Sequence, residues 1–466
     1  MTGAEGAIIP QCRILFQYSD NNIISDRSLL NEGLDVLVSL EKIKRTDLGE
    51  SGNAEELTVE SPYFVPGTLP VGDAVAIRKA MALNFCKWDP QVGDVATLAP
   101  FPLVINEAHR KYLFQAAERL TQELFAAEDE IAGNSQLLMP LSLPGKIRAL
   151  LSRSSPDHEA AAAMRVMRFD FHFTTEGWKL SEVNSDVPGG FCESTAFTKL
   201  MANHFPQYKP TGEPAHVLTG KISKLAAQGQ RIAFVSAPGL MEDQQVVAYL
   251  ASCLRPLGWE TYLASPAQVS WIAGRAHLKT RTAQIPVDVI YRFFQGEWLP
   301  LLPKSVEWHP YFCGGMTPII NSGVSMISES KRLPLVWDRL GCPMKTWRTL
   351  LPETRSIQEV PWRRDDSWIL KTAYSNGGET VSIRELLSAE KWRRVIWHAR
   401  FWPDSWVAQK RFVAIPLQTP MGPHFPCIGV FTIDGVASGI YARLAFRPWI
   451  DFSSIDVAVL SNREMS

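Results

Sequence analysis

The sequence predicts an α/β protein, or in part α+β, that combines a parallel-sheet subdomain with separate antiparallel hairpins. Between residues 231 and 294, three short β-rich runs, RIAFVSAPG, WETYLAS and VDVIYRFF, alternate with the stretches QQVVAYLASCLRPLG and PAQVSWIAGRA, which have helical spacing. Strands that alternate with helices favour a parallel, Rossmann-like sheet. Alternating polar and apolar residues around glycine turns indicate hairpins elsewhere.

Other elements follow from periodicity. Residues 1–60 are polar and uneven, and KIKRTDLGESGNAEELTVES is typical of a solvated loop. Apolar residues at helical spacing predict a helix over 106–132, which ends before Gly133. CESTAFTKLMANHF is predicted to be helical, and KRLPLVWDRL to form a short helix. SWILKTA and SWVAQKRFV are predicted strands, and CIGVFTIDGVASGIYARLA is a predicted hairpin that turns at Asp434 and Gly435.

Composition limits the classes of function. Hydrophobic residues make up 46% and charged residues 20%, which is typical of a soluble globular protein. Lys and Arg number 47 against 48 acidic residues, so no overall charge favours nucleic acid or an anionic membrane. Seven scattered cysteines without a CxxC pair favour a reducing cytoplasm. We expect no signal peptide and no membrane span.

A hairpin carries the strongest functional pattern, in the stretch RFDFHFTTEGWKLSEVNSDVPGG. If its loop spans residues 175–177, Asp170 lies across from Glu182 on the neighbouring strand. Arg168 then lies across from Asn184. The phenylalanines between them point to the other face, so the four polar side chains share one face of the hairpin.

Two opposed carboxylates repel each other unless a cation or a proton lies between them. A hard cation such as Mg²⁺ takes carboxylate and amide oxygens, so Asp170, Glu182 and Asn184 are predicted metal ligands. Arg168 adds a planar donor fork that suits a phosphoryl group. The alternative is a surface hairpin whose arginine simply pairs with the acids. The residues alone leave both interpretations open.

The pattern RFDF…EVNSD resembles the metal-binding stretch of the glutathionylspermidine synthase family, whose ATP-grasp ligases carry Arg-x-Asp and later Glu-x-Asn. The resemblance covers about residues 165–450 and implies an ATP-grasp-like fold with a Rossmann-like, pre-ATP-grasp subdomain. We expect no amidase domain, because residues 1–150 show no pairing of Cys and His around a nucleophile motif.

The resemblance and the periodicity together predict how the chain is divided. The expected regions are an N-terminal mixed or helical region, the metal-binding hairpin and helix of the ATP-grasp core, the Rossmann-like subdomain, and the ATP-grasp nucleotide-binding region. Their predicted boundaries are 1–160, 161–230, 231–325 and 326–466.

Further segments resemble family motifs in the same order along the chain. SESKRLPLVW resembles the segment with the first nucleotide lysine, which implies that role for Lys331. WILKTAYSNGGETVSI resembles the strand with the second lysine and its phosphate-covering loop, which implies Lys371, Gly377 and Gly378. Without the resemblance, Lys331 is most simply a solvated lysine.

Two later segments complete the resemblance. WVAQKRFVAIP is similar to the hinge strand that reads adenine, which implies that Gln409 lies near the base. IGVFTIDGVASGIYAR resembles the hairpin that ends in an active-site arginine, which implies a catalytic Arg443 beside Arg168. Without the resemblance, Gln409 satisfies a strand edge and Arg443 is an ordinary ion-pair partner. The chain departs from the family at Thr372, where a proline is usual, and at LAFRP, where an acid commonly follows the arginine.

The resemblance implies a cytoplasmic, ATP-dependent carboxylate–amine ligase that uses Mg²⁺ and forms an amide through an acyl phosphate. The expected partners are a small-molecule or peptide carboxylate and an amine, without nucleic acid or membrane. The sequence specifies neither these substrates nor the oligomeric state. Two alternatives stay open. One is an inactive nucleotide-binding or regulatory protein with the same fold, against which the retained acids, lysines and arginine argue but which Thr372 keeps open; the other is a small-molecule phosphotransferase.

Overall fold

The structure is a computed structural model and describes residues 61–92, 95–153, 162–225, 230–374, 381–451 and 453–463. Its strands are β1 (Tyr63–Phe64), β2 (Gln91–Val92), β3 (Val95–Ala96), β4 (Leu103–Ile105), β5 (Ala162–Met164), β6 (Val166–Thr174), β7 (Gly177–Asn184), β8 (Tyr208–Pro210), β9 (Arg231–Ser236), β10 (Glu260–Ala264), β11 (Val269–Ile272), β12 (Arg275–Lys279), β13 (Gln284–Pro286), β14 (Val289–Phe293), β15 (Ile319–Ile320), β16 (Thr354–Arg355), β17 (Trp368–Thr372), β18 (Trp406–Lys410), β19 (Leu417–Thr419), β20 (Gly422–Ile433), β21 (Val436–Ala445), β22 (Ile455–Val457) and β23 (Val459–Asn462).

Its α-helices are α1 (Val71–Asn84), α2 (Glu107–Ile131), α3 (Ser135–Leu138), α4 (Gly145–Leu151), α5 (Thr198–His204), α6 (Pro214–Leu225), α7 (Met241–Leu254), α8 (Pro310–Cys313), α9 (Ser325–Glu329), α10 (Lys345–Leu350) and α11 (Ala389–Phe401). The predicted helix over 106–132 is confirmed as α2, and the helix in CESTAFTKLMANHF as a π-helical turn that continues into α5. KRLPLVWDRL holds a short 3-10 helix, Leu333–Arg339. No helix in the described ranges is long and apolar enough to cross a bilayer.

One antiparallel sheet joins segments that lie far apart in the chain, in the order β22-β21-β20-β6-β7, with β19 paired to β20. Both predicted hairpins, β6–β7 and β20–β21, belong to it, and the second turns at Asp434 and Gly435 as predicted. Strand β6 also pairs with β20, which joins the hairpins edge to edge. The phenylalanines of β6 lie in the core. The opposite face of the sheet therefore carries its polar side chains.

A parallel sheet has the order β10-β9-β14-β15-β5. It confirms the predicted alternation of strands and helices, because the three β-rich runs form β9, β10 and β14 and α7 connects the first two. The predicted helix in PAQVSWIAGRA is wrong. After a 3-10 turn at Pro266–Gln268 this segment forms the hairpin β11–β12, which turns where Ala273 and Gly274 have φ values of 48° and 77°. Two successive residues with positive φ end a helix and suit a tight hairpin.

A small antiparallel sheet, β16-β18-β17, lies in the C-terminal part of the chain. Trp368 of β17 and Trp406 of β18 pack in a hydrophobic cluster with the apolar residues of α11. Successive side chains of a strand point to opposite faces. Lys371 and Gln409 therefore lie on the face away from α11.

A buried ion pair ties the segment after β7 to the parallel sheet. Arg292 of β14 is fully buried and its guanidinium pairs with Asp186. The Asp186 carboxylate also accepts hydrogen bonds from the backbone N–H of Gly296 and the hydroxyl of Ser325, both at 2.8 Å. The residues that follow the predicted site hairpin are thus fixed by charge-assisted hydrogen bonds inside the core.

We expect Asp186→Ala to lower the free energy of unfolding by about 3–5 kcal/mol, because it leaves the buried charge of Arg292 without its ion-pair partner. Urea denaturation followed by circular dichroism measures the change. The matched control is Glu390→Ala, which removes an ion pair with Arg394 that is exposed on α11 and should change stability little. Equal effects of the two substitutions would contradict a structural role for the buried pair.

Candidate functional site

The hairpin β6–β7 brings together the polar side chains that the sequence pattern singles out. Arg168 pairs in register with Asn184, and Asp170 with Glu182, as predicted. The loop is one residue shorter than predicted, because Thr174 pairs with Gly177 and only two residues lie between them. A bulge at Ser181 compensates for this difference and restores the predicted pairs.

Arg168 and Asp170 form a buried bidentate ion pair. The Nε and Nη2 atoms of Arg168 donate to the two carboxylate oxygens of Asp170 at 2.7 and 2.9 Å. Asn184 donates to the same carboxylate at 3.2 Å. Burial raises the pKa of Asp170, but the charge and hydrogen bonds of Arg168 outweigh burial and hold the pKa below its usual value. The alternative interpretation was a surface hairpin whose arginine pairs with the acids. Arg168 does pair with an acid, but both side chains are buried rather than on the surface.

Lys371 and Lys331 approach the hairpin from different parts of the chain. The Lys371 Nζ donates to the carbonyl oxygen of Ser181 at 2.9 Å, so the bulge presents a backbone acceptor to this lysine. Burial lowers the pKa of Lys371 to about 8; Glu182 opposes this shift and Lys331 adds to it. The Lys331 Nζ lies 3.5 Å from the Glu182 carboxylate.

Gln409 presents an unpaired acceptor to the same region. Its Nε2 donates to the hydroxyl of Thr354 at 3.0 Å, whereas its Oε1 is buried without a hydrogen-bond partner among the described residues. Gln409 does not lie at a sheet edge, because β18 is the central strand of its sheet. A cleft that is open in part to solvent is lined by Glu182, Lys331, Lys371, Gln409, Trp337 and Trp347.

Arg443 lies on the polar face of the large sheet, two strands from the hairpin. It pairs in register with Cys427 of β20 and Asp456 of β22, and its Cζ is 5.9 Å from the ring centre of Tyr441. The same ring lies 4.9 Å from the Cζ of Arg168, so the two arginines meet at one aromatic side chain. The two predicted loop glycines, Gly377 and Gly378, lie outside the described residues.

Comparison with known proteins assigns the chain to a family. The family model described as glutathionylspermidine synthase, pre-ATP-grasp, matches residues 101–452, which is well over half of the chain. The chain belongs to this family. No curated protein matches it.

The glutathionylspermidine synthase family assignment agrees with the similarity to a solved structure. A glutathione synthetase-like effector from Globodera pallida, in its apo form, superposes with a TM-score of 0.56 at 13% identity, over 83% of this chain and 96% of that one. At this identity the similarity shows the fold alone, which is ATP-grasp-like α/β.

Two other solved structures are similar to a lesser degree. A putative γ-glutamylcysteine synthetase from Methylobacillus flagellatus has a TM-score of 0.37 at 12% identity, over 70% of this chain and 82% of that one. D-alanyl-alanine synthetase A from Vibrio cholerae has a TM-score of 0.28 at 14% identity, over 44% of this chain and 68% of that one. Both similarities are too low to support an argument.

Two further polar side chains lie at the site of this glutathionylspermidine synthase family member but were not among the predicted site residues. His172 lies on the polar face of β6, and burial lowers its pKa to about 4. Glu329 lines the cleft and accepts hydrogen bonds from the backbone N–H groups of Ser185 and Asp186 at 2.8 and 3.0 Å. The alternation of RFDFHF points to His172, but no local pattern identifies Glu329.

The site also requires a glycine at position 429, which no pattern in the sequence indicates. It lies on β20 between Asp170 of β6 and Tyr441 of β21. A Cβ added to Gly429 would lie 2.8 Å from Cδ of Arg168 and 2.9 Å from Oδ1 of Asp170. The absence of a side chain therefore lets the ion pair lie across the middle of the sheet.

We expect Gly429→Ala to destabilise the protein by about 1–3 kcal/mol, because the added methyl group overpacks a buried ion pair. The matched control is Gly220→Ala in α6, where an added Cβ meets nothing within 4 Å. That change should instead stabilise the helix by up to about 1 kcal/mol. Urea denaturation of both variants compares the signs, and a stable Gly429→Ala protein would show that the ion pair tolerates displacement.

Proposed function

We propose that this protein is an ATP-dependent ligase that joins a carboxylate to an amine through an acyl phosphate, with Mg²⁺ as its metal. Its family and fold are those of ATP-grasp-type synthetases. The proposal extends this assignment to the reaction, the nucleotide and the roles of the residues described above.

The cleft beside the hairpin is the observation that carries the proposal. Lys371 is buried, its Nζ hydrogen bond goes to a neutral carbonyl, and its nearby carboxylate, Glu182, also lies beside Lys331, so the site favours a further anion. Gln409 offers a buried acceptor in the same cleft, so the site also favours a hydrogen-bond donor. ATP has both features, because its polyphosphate is anionic and the amino group of adenine is a donor. In this assignment Lys331 and Lys371 hold phosphates and Gln409 holds the base.

The oxygen atoms of the hairpin fit a hard divalent cation. Asp170, Glu182 and Asn184 supply carboxylate and amide oxygens from adjacent register positions of one face. Within the described ranges, no group of three or more His, Cys, Asp or Glu side chains is placed to hold a metal. The proposed ligand set instead has two carboxylates and one amide. When bound there, Mg²⁺ would neutralise charge on the phosphate oxygens.

The chemical difficulty is that a carboxylate is a poor acyl donor. In the proposed reaction a carboxylate oxygen attacks the γ-phosphorus of ATP, the bond to ADP breaks, and an acyl phosphate forms. The amine then attacks the acyl carbon, and phosphate and a proton leave as the amide forms. Catalysis of such steps depends mostly on positioning and on stabilisation of charge.

The arginines are assigned to the charge that develops during these steps. Arg168 and Arg443 lie on the same face of the large sheet, and neither side chain is exposed. Guanidinium groups stabilise a phosphoryl group in transfer and the oxyanion that forms when the amine attacks. Gly377 and Gly378 are proposed to cover the phosphates through their backbone N–H groups.

A direct test combines binding with turnover. Isothermal titration calorimetry with ATP and Mg²⁺ tests the nucleotide site, and a coupled assay for ADP tests turnover with a panel of carboxylates and amines. Amide formation that requires both substrates supports the ligase. Binding without amine-dependent ADP across a broad panel favours a non-catalytic nucleotide-binding protein. A stable phosphorylated acceptor without amide favours a phosphotransferase.

We expect Lys371→Met to weaken ATP binding about 10- to 100-fold, because a charge-assisted hydrogen bond contributes about 1.5–3 kcal/mol. The matched control is Lys410→Met on the neighbouring strand. Lys410 extends over Trp368 on the face away from the cleft. Calorimetry should show unchanged ATP affinity for this control, and unchanged affinity in Lys371→Met would move the phosphate role elsewhere.

We expect Glu182→Ala to abolish Mg²⁺-dependent ATP turnover while the protein stays folded, because it removes a proposed metal ligand. Asp170→Ala should also abolish turnover, but it leaves the buried Arg168 without its counter-charge and therefore also lowers stability. The control is Glu176→Ala, an exposed carboxylate at the turn of the same hairpin. Wild-type turnover rates in Glu182→Ala would remove the metal assignment.

A further inference from the structure

Tyr441 contacts both arginines that are assigned to the reaction. The Cζ atoms of Arg168 and Arg443 lie 4.9 and 5.9 Å from the centre of its ring. These distances are within the range of cation–π attraction. Two guanidinium groups that share a small site repel each other, and a ring that attracts both offsets part of that repulsion.

The packing around Tyr441 holds its ring in place. Gly429 lies beside Tyr441 in the sheet and carries no side chain, so Arg168 can extend across β20 to the ring. On the loop after β7, Gly190 has a φ of 100°, and a Cβ added there would lie 2.8 Å from the Tyr441 Cγ. The glycines at these two positions thus allow both the side chain of Arg168 and the backbone of this loop to approach the ring.

The hydroxyl of Tyr441 is anchored by a network of charges. It donates to Oδ1 of Asp456 at 2.7 Å. The other carboxylate oxygen of Asp456 pairs at 3.0 Å with Lys87, which also contacts Glu193 at 2.8 Å and Asp89 at 3.2 Å. Burial and the charge of Asp456 raise the pKa of Tyr441 well above its usual value, so the phenol stays protonated and can donate.

We propose that Tyr441 is a positioning residue whose ring sets the spacing and orientation of Arg168 and Arg443, and that the hydrogen bond from its hydroxyl to Asp456 makes a smaller contribution to holding the ring. The catalytic meaning of this proposal depends on the proposed ligase function, whereas the geometric part does not.

The test measures the two arginines directly, without relying on activity. Phenylglyoxal modifies accessible guanidinium groups, and peptide mass spectrometry gives the rate at each arginine in the full-length protein. We expect Tyr441→Leu to raise the rates at Arg168 and Arg443 about fivefold or more, because the ring no longer holds them. Tyr441→Phe keeps the ring and should raise the rates about twofold or less.

The matched control is Phe114→Leu, which removes another ring that faces an arginine, Arg110, at 4.8 Å on α2. Rates at Arg168 and Arg443 should not change in this variant. If Tyr441→Leu does not fold, Tyr441→Met takes its place, because it keeps a large apolar side chain. Unchanged rates at both arginines in a folded Leu or Met variant overturn the proposal.

Turnover separates positioning from a general structural role. We expect Tyr441→Leu to lower kcat about 10- to 100-fold with little change in the KM for ATP, because the cleft residues are untouched, and Tyr441→Phe to restore most of kcat. Equal losses in kcat and in ATP affinity would indicate general disruption and overturn the proposal. If the wild-type protein turns over no ATP, the proposed ligase function fails, and the phenylglyoxal rates still decide the role of Tyr441.

Discussion

The site depends on strand β6, which pairs on both of its edges. On one edge it forms a hairpin with β7, and on the other it pairs with β20, from a distant part of the chain. This double pairing places β6 inside the sheet, and Arg168 and Asp170 on its polar face are both buried. Because buried charges are costly unless they are paired, the carboxylates, the arginines and the lysines around this strand have to be arranged together.

The local part of this arrangement could be predicted from the sequence, whereas the distant part could not. The alternation in RFDFHF and KLSEVN predicts which residues share a face, and the pairs with Glu182 and Asn184 follow. The bulge at Ser181 could not be predicted from these pairs. The shorter loop shifts the register by one residue and the bulge shifts it back, so the pairs of Arg168 and Asp170 are the same with or without both features. The need for Gly429 becomes visible only when β20 is known to lie beside β6.

The helix that was wrongly predicted in PAQVSWIAGRA has a similar explanation. PAQVSWIAGRA contains apolar residues at spacings that fit a helix, but it also contains a glycine that suits a turn. In the structure, β11 pairs with β12, and the positive φ values at Ala273 and Gly274 form the turn between them, so the segment is a hairpin rather than a helix. The predicted helix of α7 was right because its apolar pattern extends over more turns without a glycine. Short segments thus depend on tertiary context more than long ones do.

For the ligase proposed above, the charges of the site also indicate in which order the ligands bind. Arg168 already provides the positive partner of Asp170, and Lys331 lies close to Glu182. A divalent cation that arrived alone would add positive charge beside these groups and beside the buried Lys371, at a high electrostatic cost. A polyphosphate that arrives with the cation brings compensating negative charge. The electrostatics therefore favour binding of the metal together with the nucleotide rather than before it.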